Sequence, residues 1–241
     1  EECWAWGAGR YKFQVYWGDH TVFRRNVARH DYKGAGLQCA LFNNYDSVNT
    51  IWQNNIAIDS SNANCGGGLY GGWYWENKDD HAADTTNILE GNIILNVGNG
   101  TYSAGAFDRL SGTHTINNYI IYGGQSGYLA EPGPSAESAS HISRLNNCTI
   151  GGLTGTYDGQ NGWGAGGTAV GMTENAPGQH ISDNLVKNSI FFNNNSYGIV
   201  DYTVSNYNAF YGNGSGTVGG SYTTPSVGAN SITNRDPATN G

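Results

Sequence analysis

A short phrase recurs along this chain and constrains its fold more than any other feature. The phrase is an apolar residue, a spacer, an Asn or Gly, a second spacer and then apolar residues in alternation. It is clearest over residues 186–192 (VKNSIFF) and 204–210 (VSNYNAF). Further copies lie at residues 23–29, 52–58, 89–95, 116–122 and 145–150. Repetition of one unit at variable intervals is typical of a solenoid.

The third position of the phrase forms a column whose successive members are 18 to 41 residues apart. Six members are Asn or Gly: Asn54, Gly91, Asn118, Asn147, Asn188 and Asn206. Because these two residue types adopt positive φ at least cost, the column predicts a left-handed corner between two strands. Arg25 is the exception. Either Asn26 takes the corner in that copy, or that coil is built differently.

The residues on both sides of the column alternate with period two and are rich in Ile, Val, Leu, Phe and Tyr, which is typical of strands. Each run is short, and no convincing amphipathic helix occurs. The sequence therefore predicts an all-β fold, a single-domain parallel β-helix with Gly/Asn-rich loops between its coils. About three buried apolar side chains per coil contribute roughly 1.5 to 3 kcal/mol each before entropy, so only a stack of coils is stable.

The composition agrees with such a fold and excludes several functions. The chain has 241 residues, including 37 Gly and 30 Asn, and only 12% are charged. A net charge of −8 argues against nucleic-acid binding. No apolar run is long enough to span a membrane.

The phrases VKNSIFFNN, SNYNAFYGN, HTVFRRNVARHD and NTIWQNNIAID resemble the coils of secreted right-handed parallel β-helix repeat proteins, the broad pectate-lyase-like superfamily. The resemblance covers residues 20–213, preceded by an aromatic-rich entry at 1–19 and followed by a tail at 214–241. It implies right-handed coils in one domain, 1–241, and an extracellular or cell-surface location. In such proteins a D-P step like that at 236–237 commonly precedes another coil, so we expect that the native chain can extend beyond residue 241.

Six of the eleven cationic residues fall between positions 10 and 33: Arg10, Lys12, Arg24, Arg25, Arg29 and Lys33. Polysaccharide lyases of the superfamily use an Arg or Lys as the base near a carboxylate-bound calcium ion. For a lyase, the resemblance implies a site on a face that displays Arg29, His30, Lys33, Asp46 and Asp59. The alternative is that the cations pair with neighbouring acids on the outside of one coil.

A second group of candidates is acidic. Glu76, Asp79, Asp80 and Asp84 lie on one stretch and would suit calcium or a glycosidase pair of carboxylates. The G-H-G element of the polygalacturonase-like hydrolases is absent, which favours a solvated acidic loop. The sequence thus predicts no cofactor, with a calcium ion as the alternative.

Aromatic residues in Gly-rich segments are candidates for exposed binding or assembly contacts: Tyr70, Trp73, Tyr74, Trp75 and Trp163. Flat rings stack on sugars and are common at subunit contacts. The alternative is that these rings fold back onto the core.

Four cysteines permit two disulfides in an oxidising compartment, with three pairings open among Cys3, Cys39, Cys65 and Cys148. Their spacings are not those of a zinc site. Cys148 lies inside a copy of the phrase, which favours a small buried thiol there.

We expect an extracellular structural protein, a β-helix subunit that stacks or packs laterally into a homopolymeric filament, sheath or surface layer. Few charges and many neutral amides support this interpretation. The first alternative is a secreted carbohydrate-active enzyme, a lyase or hydrolase of acidic polysaccharide. The second is a non-catalytic glycan-binding adhesin. The predicted partners are other copies of the chain or a polysaccharide, without nucleic acid or a membrane span.

Overall fold

The computed structural model describes residues 1–7, 11–30, 39–59, 69–76, 86–97, 104–109, 112–130, 141–156, 167–172, 185–200, 204–219 and 227–233. These residues form 24 strands, all in parallel sheets, and they contain no helix. No segment in this part of the chain could therefore cross a membrane as a helix. The fold is all-β and is built from stacked parallel strands.

Three sheets divide the strands among them. Sheet I contains β1 (Trp4–Trp6), β4 (Val27–His30), β7 (Ile56–Asp59), β10 (Ile93–Leu95), β13 (Ile120–Tyr122), β16 (Thr149–Gly151), β19 (Ile190–Phe192), β22 (Ala209–Tyr211) and β24 (Ile232–Thr233). Sheet II contains β2 (Tyr11–Tyr16), β5 (Cys39–Tyr45), β8 (Leu69–Glu76), β11 (Ala106–Arg109), β14 (Tyr128–Ala130), β17 (Val170–Met172), β20 (Tyr197–Val200) and β23 (Gly216–Gly219). Sheet III contains β3 (Val22–Arg24), β6 (Ile51–Gln53), β9 (Thr86–Glu90), β12 (Gly112–Asn117), β15 (His141–Asn146), β18 (Leu185–Lys187) and β21 (Val204–Asn206).

The sheets recur in strict order along the chain, because from β1 to β23 every third strand belongs to the same sheet. Each strand from β1 to β20 pairs in parallel with the strand three places further on, as β4 does with β7 and β7 with β10, and β22 pairs with β24. Each round of the chain thus adds one strand to each sheet. Equivalent residues of successive rounds stand directly above one another.

The turn from sheet III to sheet I is a left-handed corner in every round. Asn54, Gly91, Asn118, Asn147 and Asn188 have φ between 53° and 64°. Arg25 also has positive φ, at 54°, so Arg25 itself holds the corner and Asn26 follows it.

Asn206 was predicted to hold this corner, and that prediction is wrong. Asn206 ends β21 opposite Lys187, and the next residue, Tyr207, has a φ of 55°. The Tyr207 side chain is exposed, and the backbone N–H of Tyr207 donates to Asn206 Oδ1 at 3.0 Å. An Asn immediately before the corner therefore supports an unfavourable residue in the corner itself.

The residue after each corner is buried, and these residues form two polar ladders, which are separated by Tyr119. Asn26 donates to Asn55 Oδ1 from both its backbone and its side-chain nitrogen, each at 3.0 Å. Asn55 donates to Asn92 Oδ1 in the same way, at 2.8 and 3.0 Å. In the later rounds Cys148 N donates to Ser189 Oγ at 3.0 Å, and Ser189 N donates to Asn208 Oδ1 at 2.9 Å. The ladder satisfies backbone donors that the corner would otherwise leave buried and unpaired.

The apolar core lies between the three sheets. In the rounds described below, a large core residue on one sheet is accompanied by a small one on another. Where sheet III contributes Trp52 and sheet II contributes Trp73, sheet I contributes only Ala57. Where sheet I contributes Phe191, sheet III contributes only Val186. Because close packing tolerates neither voids nor overlap, large and small residues must alternate between the sheets of one round.

The ladder generates a prediction that adjacent residues can test. Asn55→Ala removes an oxygen that accepts from two nitrogens of Asn26, and we expect a loss of about 2 to 4 kcal/mol in the free energy of unfolding. Asn54→Gly, one position earlier, keeps the left-handed corner and should cost less than about 1 kcal/mol. Denaturant unfolding of both variants measures the difference. Equal losses would show that the inner amide has no special role.

Candidate functional site

The predicted lyase residues do not share one exposed face. Arg29 projects from the outer face of β4 and is exposed, whereas His30, the next residue, is only 7% exposed. Successive residues of a strand point to opposite faces, so the same strand cannot display both. The prediction that a single face displays Arg29 and His30 is therefore wrong.

The remaining lyase candidates are dispersed or undescribed. Asp46 is buried and has a φ of 47° just after β5, which gives it a place in a turn. Asp59 ends β7, where its backbone stands opposite His30, and its side chain lies outside the described part. Lys33 also lies outside the described residues.

Two members of the basic cluster form ion pairs at the start of the chain. Arg24 contacts Glu1 at 3.2 Å, and Arg25 contacts Glu2 at 2.8 Å and Glu1 at 3.4 Å. All four side chains are at least one-third exposed, so each pair contributes little to stability. These contacts agree with the alternative in which the cations pair with neighbouring acids.

Two of the predicted exposed aromatics are core residues, so that part of the prediction is wrong. Trp73 and Trp75 are 0% and 1% exposed, and Trp73 stacks on Phe42 with ring centroids 4.3 Å apart. They lie two apart in β8 and therefore point to the same, inner face. The side chains of Tyr70 and Tyr74 and the whole of Trp163 lie outside the described part.

The acidic candidates cannot be placed, because Asp79, Asp80, Asp84 and the side chain of Glu76 lie outside the described part. Elsewhere among the described residues, no group of three or more His, Cys, Asp or Glu side chains is placed to hold a metal ion.

Two of the four cysteines are free thiols. Cys3 is exposed and Cys148 is buried in the inner ladder. The predicted pairings that involve Cys3 or Cys148 are therefore wrong. The remaining possibility, between Cys39 and Cys65, is untested, since Cys65 and the side chain of Cys39 are outside the described part. Burial raises the pKa of the Cys148 thiol to about 11, which keeps it protonated and unreactive at neutral pH.

A buried polar cluster between sheets II and III was not found by sequence reasoning. Tyr128 donates its hydroxyl to Asp108 Oδ2 at 2.6 Å and lies 2.7 Å from Ser143 Oγ. Desolvation, followed by the neighbouring Asp108 carboxylate, raises the pKa of Tyr128 well above its usual value. All three residues are at most 1% exposed, so the cluster joins two sheets and is closed to a substrate.

The outer face of sheet I is a continuous apolar surface, which sequence reasoning also missed. The residues that project from this face stand in two columns. The first column is Trp4, Val27, Ile56, Ile93, Ile120, Thr149, Ile190, Ala209 and Ile232. The second is Trp6, Arg29, Ile58, Leu95, Tyr122, Gly151, Phe192 and Tyr211.

This apolar surface is accessible to solvent at several points along its length. Trp4 and Trp6 are 72% and 68% exposed, Tyr122 is 50%, and Ile120 and Ile190 are about 40%. Arg29 is the single charged residue among the 17 positions of the two columns. The signal was present in the sequence as strands in which all three residues are apolar, such as IIL at 93–95 and IIY at 120–122.

The other two sheets have different outer faces. On sheet III one outer column is polar throughout: Arg24, Gln53, Glu90, Asn117, Asn146, Lys187 and Asn206. Gln53 donates to Glu90 at 3.0 Å, and Asn146 donates to Asn117 at 3.1 Å. On sheet II the outward residues Leu129 and Val200 are buried in a small second cluster. The other outer column of sheet III is partly apolar, with Val22 and Ile88 about 40% exposed, and includes Val22, Ile51, Ile88, Thr115, Arg144 and Leu185. Sheet I differs from sheet III in having two mainly apolar outer columns.

A shallow cleft of about 370 Å³ lies at the turn that follows the strands of sheet I. Three rounds of the chain line it with uncharged groups: Gly152, Leu153, Thr154, Asn193, Asn194, Asn195, Gly212 and Gly214. Asn194 is buried, and its side-chain nitrogen donates to Asn213 Oδ1 at 2.9 Å. Thr154, Asn193 and Asn195 are exposed. We call this feature the corner cleft.

Comparisons with known proteins identify no relative: no family model matches the chain, and neither a curated protein nor a solved structure is significantly similar to it. The functional conclusions below therefore rest on the geometry of the chain itself.

The difference between the two free thiols generates a prediction. Iodoacetamide at neutral pH should alkylate Cys3 of the folded protein and leave Cys148 unmodified, as peptide mass spectrometry would resolve. Modification of both residues at similar rates would contradict the burial of Cys148.

The raised pKa of Cys148 also predicts a direction of pH dependence. A raised folded-state pKa contributes stability that is present below the unfolded pKa of about 9 and is lost as the pH rises through about 11. Cys148→Ala should therefore lose less stability than the wild type between these pH values. Urea midpoints measured across this range test the difference.

Proposed function

We propose that the chain is a secreted, single-domain right-handed parallel β-helix of the pectate-lyase-like kind. Two observations support this. From β1 to β23 the strands pair in parallel three places apart, and the repeated phrase resembles the coils of that superfamily. In this fold, activity resides in particular sites, so the architecture itself assigns no chemistry.

We further propose that the protein is an extracellular structural subunit that packs laterally against other copies of itself. The observation that carries this proposal is the outer face of sheet I, with its two apolar columns and one charged residue. Nine strands at about 4.8 Å give the face a length of about 38 Å. Apolar faces of this length on soluble proteins commonly mark an interaction site.

A second copy is the occupant that the chemistry favours. Most of the face is aliphatic, and aliphatic side chains pack best against a similar surface. With a net charge of −8, two copies repel each other. Arg29 is the single charged residue of the outer face of sheet I. Contact through this face therefore keeps the acidic residues of the two copies apart.

The expected association is weak for a single contact. Two residues per strand give a face on the order of 500 Å², below the roughly 800 Å² per partner of a standard interface. We expect a dissociation constant on the order of 10 μM. Because each column repeats at every strand, two copies can pair at positions shifted by one or more strands. The contact then extends into a filament or layer instead of closing into a dimer.

Two isoleucines of matched exposure test this contact. Ile120, on the outer face of sheet I, is 41% exposed, and Ile88, on the outer face of sheet III, is 37% exposed. We expect Ile120→Lys to weaken self-association by about tenfold or more, because it buries a charge in the apolar contact, whereas Ile88→Lys should have little effect. Sedimentation velocity over a concentration series measures both variants.

The outcome separates the proposal from its rivals. Wild-type protein that stays monomeric at every concentration would overturn lateral assembly. So would an equal loss of association in both variants, since that would indicate a general effect of added charge. Electron microscopy of the associated wild type then distinguishes closed dimers from extended filaments or layers.

A further inference from the structure

We infer that the corner cleft and the aromatic rings beside it bind a neutral glycan chain. The lyase prediction does not use this site. The self-association proposal shares with it only the rim aromatics, which belong to the second outer column of sheet I, and not the corner cleft. Its lining residues come from the turns after β16, β19 and β22, so it depends on three successive rounds of the fold.

The aromatic residues form the rim of the corner cleft on the sheet I side. Phe192 and Tyr211 immediately precede the lining residues Asn193 and Gly212. The Tyr122 ring lies against Gly152, where an added Cβ would be 3.0 Å from Tyr122 Cε2. The rim therefore adjoins the corner cleft through residues from three rounds of the chain.

Gly151 and Gly152 leave room for two of these rings. A Cβ at Gly151 would stand 2.4 Å from Phe192 Cε1, so the Phe192 ring occupies the space that a side chain at this position would need. Tyr122 and Phe192 are nearly parallel, with centroids 6.2 Å apart and an interplanar angle of 26°. Tyr122 is half exposed. A partly exposed aromatic ring beside a cleft can pack against a sugar ring.

The polar groups of the corner cleft suit hydroxyl groups. Asn195 is exposed, with its amide nitrogen held by Gly155 O at 2.9 Å, which orients the amide oxygen as an acceptor. Thr154 donates to Gly124 O at 3.1 Å, and its hydroxyl oxygen keeps the capacity to accept. Sugar hydroxyls can donate to both. The two side chains are fixed by the fold before a ligand arrives, which lowers the entropic cost of binding.

Charge selects the class of glycan. None of the eight lining residues and none of the three rim aromatics is charged. A uronate chain would therefore lose hydration at the cleft without gaining a cation, whereas a neutral chain would not. The volume of about 370 Å³ lies at the lower end of small-ligand sites, so a short stretch of chain fits the cleft.

The test is isothermal titration with four hexasaccharides: cellohexaose, xylohexaose and mannohexaose as neutral probes, and hexagalacturonate as the charged one. We expect at least one neutral probe to bind, with a dissociation constant on the order of 100 μM, and hexagalacturonate to bind at least about tenfold more weakly. Tyr122→Ala should reduce the affinity for the neutral probe by about tenfold. Tyr207→Ala is the matched control, because Tyr207 is 57% exposed at a different corner.

A second variant separates glycan binding from self-association. Tyr122→Leu keeps the outer face of sheet I apolar but removes the flat ring, so it should lose glycan affinity while still self-associating. Circular dichroism confirms that each variant is folded. The inference is overturned if no neutral probe binds, if hexagalacturonate binds best, or if Tyr207→Ala loses as much affinity as Tyr122→Ala.

Discussion

The buried ladder of side-chain hydrogen bonds behind the first corner is the interaction on which the rest of the structure depends. Each round of the chain must turn sharply from sheet III to sheet I, and the turn leaves backbone N–H groups inside the protein. Asn55 and Asn92 each accept two bonds from the round before, and Ser189 and Asn208 continue the pattern further along. Without these acceptors, the backbone donors of Asn26, Asn55, Cys148 and Ser189 would be buried and unpaired, at about 1 to 3 kcal/mol each.

The ladder also fixes the register of the sheets. A bond from one round to the same position in the next holds successive strands level, so equivalent side chains form straight columns. Straight columns give each sheet a uniform outer chemistry, which is polar along one column of sheet III and apolar across sheet I. The two proposals use adjacent parts of this arrangement. Lateral packing uses both outer columns of sheet I, and glycan binding uses the turn beyond the column that contains Tyr122.

Much of the fold could be predicted from the sequence because the repeat carries local backbone information. Asn and Gly at the third position of the phrase report a left-handed corner, and the alternating residues around them report strands. The failures have a common cause. At Arg25 and Tyr207 the residue in the corner is unfavourable by itself, and at Tyr207 the preceding Asn206 accepts a hydrogen bond from the corner backbone. A prediction that considers one position at a time assigns the corner to the Asn itself, and this explains the wrong assignment of Asn206.

The site was harder to predict because function depends on which way a side chain points. Trp73 and Trp75 are core residues, although the sequence predicts that they are exposed. Their Gly-rich surroundings do not show which residues of the strand face inward. Arg29 and His30 are adjacent in sequence and lie on opposite faces of one strand. Asp108 faces inward because Tyr128 and Ser143, from two other strands, complete its environment. Ser143 belongs to sheet III, so this environment exists only once sheets II and III pack together.

The measurement that tests the central claim most directly is hydroxyl-radical footprinting of the wild-type protein at low and high concentration. Tyr122, on the outer face of sheet I, and Tyr207, at the corner between sheets III and I, are 50% and 57% exposed and have the same intrinsic reactivity. Lateral packing predicts that oxidation of Tyr122 falls as the concentration rises while oxidation of Tyr207 stays constant. Unchanged oxidation of both residues, or an equal fall in both, would contradict the account.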